Sequence, residues 1–111
     1  MATKDPREPF TRVSPSEAKE MIEKGGVQVI DVREGWEYQK GHVPGAHHIP
    51  VSTVFARRAE LARDRDLVFV CAVGQRSALA CEMAAAAGLT RLFNIEGGTD
   101  GWVKDGFPVE Q

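Results

Sequence analysis

The sequence predicts an α/β domain built on a parallel sheet, and three observations carry that prediction. Two short runs rich in β-branched residues, the mostly apolar 27–31 (VQVID) and the continuously apolar 67–71 (LVFVC), have the composition of strands covered on both faces. Helical patterns alternate with the strand-like runs, an order that favours parallel strands joined by crossover helices on both sides of the sheet. At 111 residues the chain has the length of one domain able to bury a core without staples.

Residues 1–9 are polar, contain Pro6 and Pro9, and read as a flexible arm ahead of a single domain over 10–111. Residues 10–13 suit a short first strand. Ser14, with Pro15 after it and Glu17 three residues on, spells a helix N-terminus with a capping box. Ala18, Met21 and Ile22 then form one apolar stripe, Glu20 and Lys24 can pair across a turn, and Gly25 ends the helix. The VQVID strand follows. Residues 33–40 suit a short helix, 41–45 (GHVPG) a turn and 47–49 another short strand. Ser52 is expected to cap a helix reaching about Arg63, with Val54, Phe55, Ala59 and Leu61 as core candidates. After the LVFVC strand, residues 77–87 are strongly helix-forming and stop at Gly88. Residues 91–95 make a last strand. Gly97 and Gly98 turn the chain, and Thr99 is expected to cap a final short helix carrying Trp102 into the core.

Composition narrows the function classes. Hydrophobic residues make up 42% and charged residues 27%, with a formal net charge of −2, as in an ordinary soluble globular protein. No basic run marks a nucleic-acid partner. The two cysteines, Cys71 and Cys81, are too few for a disulfide scaffold and form no CxxC, so a reducing, cytoplasmic setting is expected. The N-terminus has no apolar core of a secretory signal, and no stretch has the length of a membrane span.

The chemistry concentrates in residues 71–77, C-A-V-G-Q-R-S, which leave a buried strand and open a helix. Side chains at the carboxyl end of a central strand face the crevice where ligands bind. The helix start offers unsatisfied N–H groups and a positive dipole end. Gly74 lets the backbone turn several N–H groups inward as an anion nest, and Arg76 adds a permanent charge with a planar donor fork. Each feature favours the thiolate of Cys71, and the same field would hold a persulfide anion. A cysteine closing a core strand is otherwise only a small hydrophobe, so the glycine, arginine and helix start that follow it make the argument.

This segment resembles the active-site loop of rhodanese-like domains, C-x-x-G-x-R-S. Residues 29–50 (VIDVREGWEYQKGHVPGAHHIP) are similar to that family's N-terminal signature, and 88–102 (GLTRLFNIEGGTDGW) resemble its C-terminal stretch with paired glycines and a tryptophan. The three motifs stand in family order, and the resemblance covers about 10–110. It implies a central five-stranded parallel sheet and sulfur transfer from thiosulfate or a persulfide donor to a thiol or cyanide acceptor, through a Cys71 persulfide and without cofactor or metal. A protein sulfur acceptor is a further possible partner. The family's cysteine falls on Cys71, and its backbone cradle on Ala72, Val73, Gly74, Gln75 and Arg76, with Ser77 at the helix start. The related phosphatase branch carries C-x5-R, whereas four residues separate Cys71 from Arg76 here. The tighter loop suits a sulfur atom better than a phosphoryl group. A phosphatase or arsenate reductase, a one-shot sulfur carrier and a protein-binding module remain as alternatives.

Asp31 and Arg33 match the family's D-V-R pair and, with Glu37, are read as a structural ion-pair network. His42 is read as a hydrogen-bonded structural residue. The adjacent His47 and His48 have poor geometry for one metal. Trp36 follows D-V-R, where the resemblance implies a pocket wall; packing is the alternative. Cys81 lies about 7 Å along its helix at 1.5 Å per residue and is read as buried and inert rather than as a resolving thiol.

Overall fold

A computed structural model describes residues 2–111, and Met1 of the expected arm lies outside the described residues. One sheet of six strands organises the chain: β1 (Thr3–Lys4), β2 (Thr11–Val13), β3 (Val27–Asp31), β4 (His47–His48), β5 (Asp66–Val70) and β6 (Leu92–Ile95), in the spatial order β1-β2-β6-β5-β3-β4. The five strands from β2 to β4 pair in parallel, as expected. The sixth, β1, pairs antiparallel with β2 and falls inside the segment expected as an arm. Polar side chains tie the segment down: Asp5 accepts from the Arg7 backbone and guanidinium, Glu8 pairs with Arg12, and Lys4 donates to the carbonyl of Glu8.

The helices are α1 (Pro15–Lys24), α2 (Gly35–Lys40), α3 (Gln75–Ala86) and α4 (Gly98–Lys104). The Ser14 capping box forms as read: Ser14 Oγ accepts from Glu17 N at 3.1 Å, and Ser14 N donates to the Glu17 carboxylate at 2.8 Å. On this helix Lys19 pairs with Glu23, and among the described residues Glu20 and Lys24 form no ion pair.

Strand alternation distributes the core. On β5, Leu67 and Phe69 face one side together with Ile30, Leu92, Ala80, Cys81 and Ala84; Val68 and Val70 face the other with Val29, Val13, Ala18 and Trp102. So α3 covers one face, and α1 and α4 the other. β5 is buried from Leu67 onward because both faces are covered.

The helix expected over 52–63 does not form. Two single 3₁₀ turns, Val51–Thr53 and Arg58–Glu60, stand there instead, with Val54 and Leu61 buried but Phe55 and Ala59 exposed. Side chains bond to the backbone along the segment, and Ala62 N, which a helix would have used, is among the groups taken. Gln28 of β3 donates to Glu60 O at 3.0 Å and accepts from Ala62 N at 2.8 Å, while Thr53 Oγ1 donates to Pro50 O. Thr99 also departs from expectation. Gly97, at φ +75°, is the N-cap of α4, and Thr99 lies within the helix with its buried hydroxyl unpartnered.

Candidate active site

Strand β5 delivers Cys71 to the point where the chain leaves the sheet. Gly74 takes φ +104°, a left-handed conformation that favours glycine, and is the N-cap of α3. The turn folds Gly74 back over the cysteine, and its N–H donates to Cys71 Sγ at 3.0 Å. Ser77, in the first turn of the helix and fully buried, sets its hydroxyl 3.3 Å from the same sulfur.

The far side of the loop is held by α4 and β6. Thr99 N donates to Cys71 O at 2.7 Å, Asp100 N to Ala72 O at 3.0 Å, and Asn94 Nδ2 to Gly74 O at 3.1 Å. In a trans peptide the carbonyl and the following N–H point in opposite directions. Anchoring those carbonyls outward therefore turns the N–H groups of Ala72, Val73 and Gln75 toward the inner side of the loop. The approach depends on Gly98. At φ +59°, any Cβ there would sit 2.4 Å from Cys71 O and 2.5 Å from Ala72 O. The paired glycines at 97 and 98 are the sequence signal for this position, where a simple turn is expected and a close approach to the loop is found.

The charge balance at Cys71 favours ionisation. Burial alone would push the thiol up, since the residue is 1% exposed. The Ser77 hydroxyl and the N–H groups of Ser77, Gly74 and Val73 more than offset that cost, and the net displacement is downward. Arg76 contributes less than its charge suggests. Its guanidinium forms a two-point pair with Glu37 at 2.8 and 2.9 Å, and this pair holds the Glu37 carboxyl down at about 2. Glu37 therefore leaves the network read for it. Asp31 and Arg33 pair with each other at 2.8 Å, and Glu37 ties α2 to the start of α3.

His42 is buried, bonded through Nδ1 to Tyr38 O at 2.9 Å and stacked on the Tyr38 ring. His47 and His48 go separate ways, to Glu60 and to Arg33 O. Trp36 precedes Glu37 but is 63% exposed, with Lys40 over its ring, so core packing does not account for it. Trp102 is buried and donates to Pro108 O at 2.7 Å. A cleft of about 260 Å³ stands beside the loop, and Cys71 is not among the residues that line it. Its walls include the loop residues Val73, Gly74 and Gln75 together with Arg12, Asn94 and Glu96.

A parallel sheet, a strand-end cysteine and a loop that aims its amides at one sulfur define a class, and comparison with known proteins gives its family. Residues 14–105 match the model of the rhodanese-like domain, and the chain belongs to that family. It is 30% identical over 103 residues to the thiosulfate sulfurtransferase GlpE of Actinobacillus pleuropneumoniae, covering 93% of this chain and 95% of that protein. It is 34% identical over 76 residues to the putative sulfur carrier protein YrkF of Bacillus subtilis, covering 68% of this chain and 41% of that protein. Among solved structures, a rhodanese-related protein of Thermoplasma volcanium superposes with a TM-score of 0.82 at 32% identity, covering 89% of this chain and 96% of that one.

Proposed function

We propose that this chain is a thiosulfate- or persulfide-dependent sulfurtransferase with Cys71 as its nucleophile. The observation that carries the reading is a buried sulfur displaced toward the thiolate by donors from Ser77, Gly74 and Val73. Cys71 thiolate attacks the outer sulfur of thiosulfate. The bond from that sulfur to sulfite breaks, and its electron pair leaves with sulfite. The product, Cys71–S–S⁻, carries its charge on the outer sulfur, facing the amides of Ala72, Val73, Gly74 and Gln75. Of the five N–H donors on Arg76, two serve Glu37, and the others are available to the departing sulfite. A thiol, or cyanide in an assay, then takes the outer sulfur and returns the thiolate, a covalent two-step cycle. Trp36, exposed beside the Glu37–Arg76 pair, is proposed as a wall at the rim of this site.

The test is intact-mass spectrometry after thiosulfate treatment. One added sulfur is expected on the wild-type chain and none on Cys71→Ser; an adduct that survives the substitution sinks the assignment. The likeness to a putative sulfur carrier gives a second reading, in which the chain is loaded once and does not turn over. More than one cyanide converted per chain selects the enzyme.

A further inference from the structure

Asn94 is the polar interruption of an otherwise apolar strand, LFNI, and is 5% exposed. A buried amide is costly unless both of its ends are bonded, and here both are. Nδ2 donates to Gly74 O at 3.1 Å, and Oδ1 accepts from Ser77 Oγ at 2.5 Å. The amide can sit only this way round, because a carbonyl such as Gly74 O accepts and never donates.

That orientation has a consequence for sulfur. Ser77 owns a single hydroxyl proton. Two acceptors lie within reach, Asn94 Oδ1 at 2.5 Å and Cys71 Sγ at 3.3 Å. We propose that Asn94 is a positioning residue that competes with Cys71 for the Ser77 proton and so sets how much of that hydroxyl the sulfur receives. In the thiol form the Cys71 S–H donates to Ser77 Oγ, and the Ser77 O–H donates to Asn94. When Cys71 gives its proton to a base in solvent, the sulfur can only accept, and the hydroxyl rotates toward it. Once a persulfide forms, the charge moves to the outer sulfur, which the loop amides serve, and the Ser77 proton returns to Asn94. The inference rests on Cys71 as the nucleophile of the proposed function.

The pH profile of Cys71 alkylation by iodoacetamide tests it, in Asn94→Leu, Ser77→Ala and the double variant. With Ser77 present, Asn94→Leu frees the hydroxyl for the thiolate, and the midpoint falls by about one pH unit, a tenfold gain in thiolate at a fixed lower pH. With Ser77→Ala the same substitution leaves the midpoint in place or raises it. Equal displacement in both backgrounds, or no fall with Ser77 present, overturns the proposal. A measurement on the wild-type chain covers the case in which Asn94→Leu does not fold. The Asn94 side-chain amide signals in NMR are expected to move with the Cys71 midpoint, and signals that stay constant through it overturn the proposal equally. Alkylation needs no sulfur donor. A chain that takes no sulfur from thiosulfate or from a persulfide donor would therefore refute the proposed function and leave this result readable.

Discussion

Two cysteines ten positions apart in sequence are equally hidden and chemically opposite. Cys71 is 1% exposed and Cys81 0%. The Cys71 thiol is displaced downward, whereas burial pushes Cys81 far up. The difference lies in what the surrounding backbone has to spare. Cys81 sits within α3, where helix hydrogen bonds use the N–H groups, and among the described residues its sulfur's hydrogen-bond partner is a carbonyl, Phe93 O at 3.8 Å. A carbonyl can accept from a thiol but does nothing for a thiolate. Cys71 precedes the same helix, where the first N–H groups have no partners within it. Burial thus decides neither reactivity nor inertness; the supply of unused donors does.

The largest expected effect comes from closing the space that lets α4 hold the back of the loop. Gly98→Ala puts a methyl group against Cys71 O and Ala72 O in left-handed backbone. It should cost at least about 2 kcal/mol in chemical denaturation. It should also bring the alkylation rate of Cys71 at neutral pH toward that of Cys81. A variant of wild-type stability and reactivity would break the account of the cradle.

A smaller effect is expected from the link between α2 and the loop. Arg76→Ala leaves Glu37 without its partner and should cost about 1–2 kcal/mol, discounted because the guanidinium is partly exposed. It should also raise the KM for thiosulfate. The pH dependence has a definite sign. Glu37 is held at about 2 in the folded chain against an ordinary 4.5, so its contribution is complete above pH 4.5 and fades as pH falls toward 2. Urea midpoints across that window should fall less steeply in Arg76→Ala than in wild type; parallel curves would assign the acid sensitivity elsewhere.

The smallest effect sharpens the comparison from the other side. Cys81→Ala should leave persulfide formation within about twofold of wild type and cost about 1 kcal/mol for the small cavity it opens. Loss of activity in a folded Cys81→Ala would revive a two-thiol mechanism.

Local chemistry was the legible part of the sequence. The Ser14 box, the two buried strands, the helix after the loop and Cys71 itself are written in neighbouring residues. Strand period, capping and glycine dihedrals act over one or two turns, so a linear reading can find them. The segment 52–63 reads as a helix from its own residues, but Gln28, a side chain on a strand far away in sequence, bonds to the backbone of Glu60 and Ala62 there. The same distance hid parts of the site. Glu37 reaches Arg76 across 39 residues, and Asn94 reaches Ser77 across 17.

The sequence by itself determined that a parallel α/β domain would carry one cysteine at the mouth of a helix. Only the tertiary structure decided how strongly that cysteine is served. It spent the charge of Arg76 on Glu37, packed Gly98 against the loop and placed Asn94 beside the Ser77 proton. The physical reason is that hydrogen bonds and ion pairs are settled by ångströms between groups, and the chain acquires those distances only when its remote segments pack.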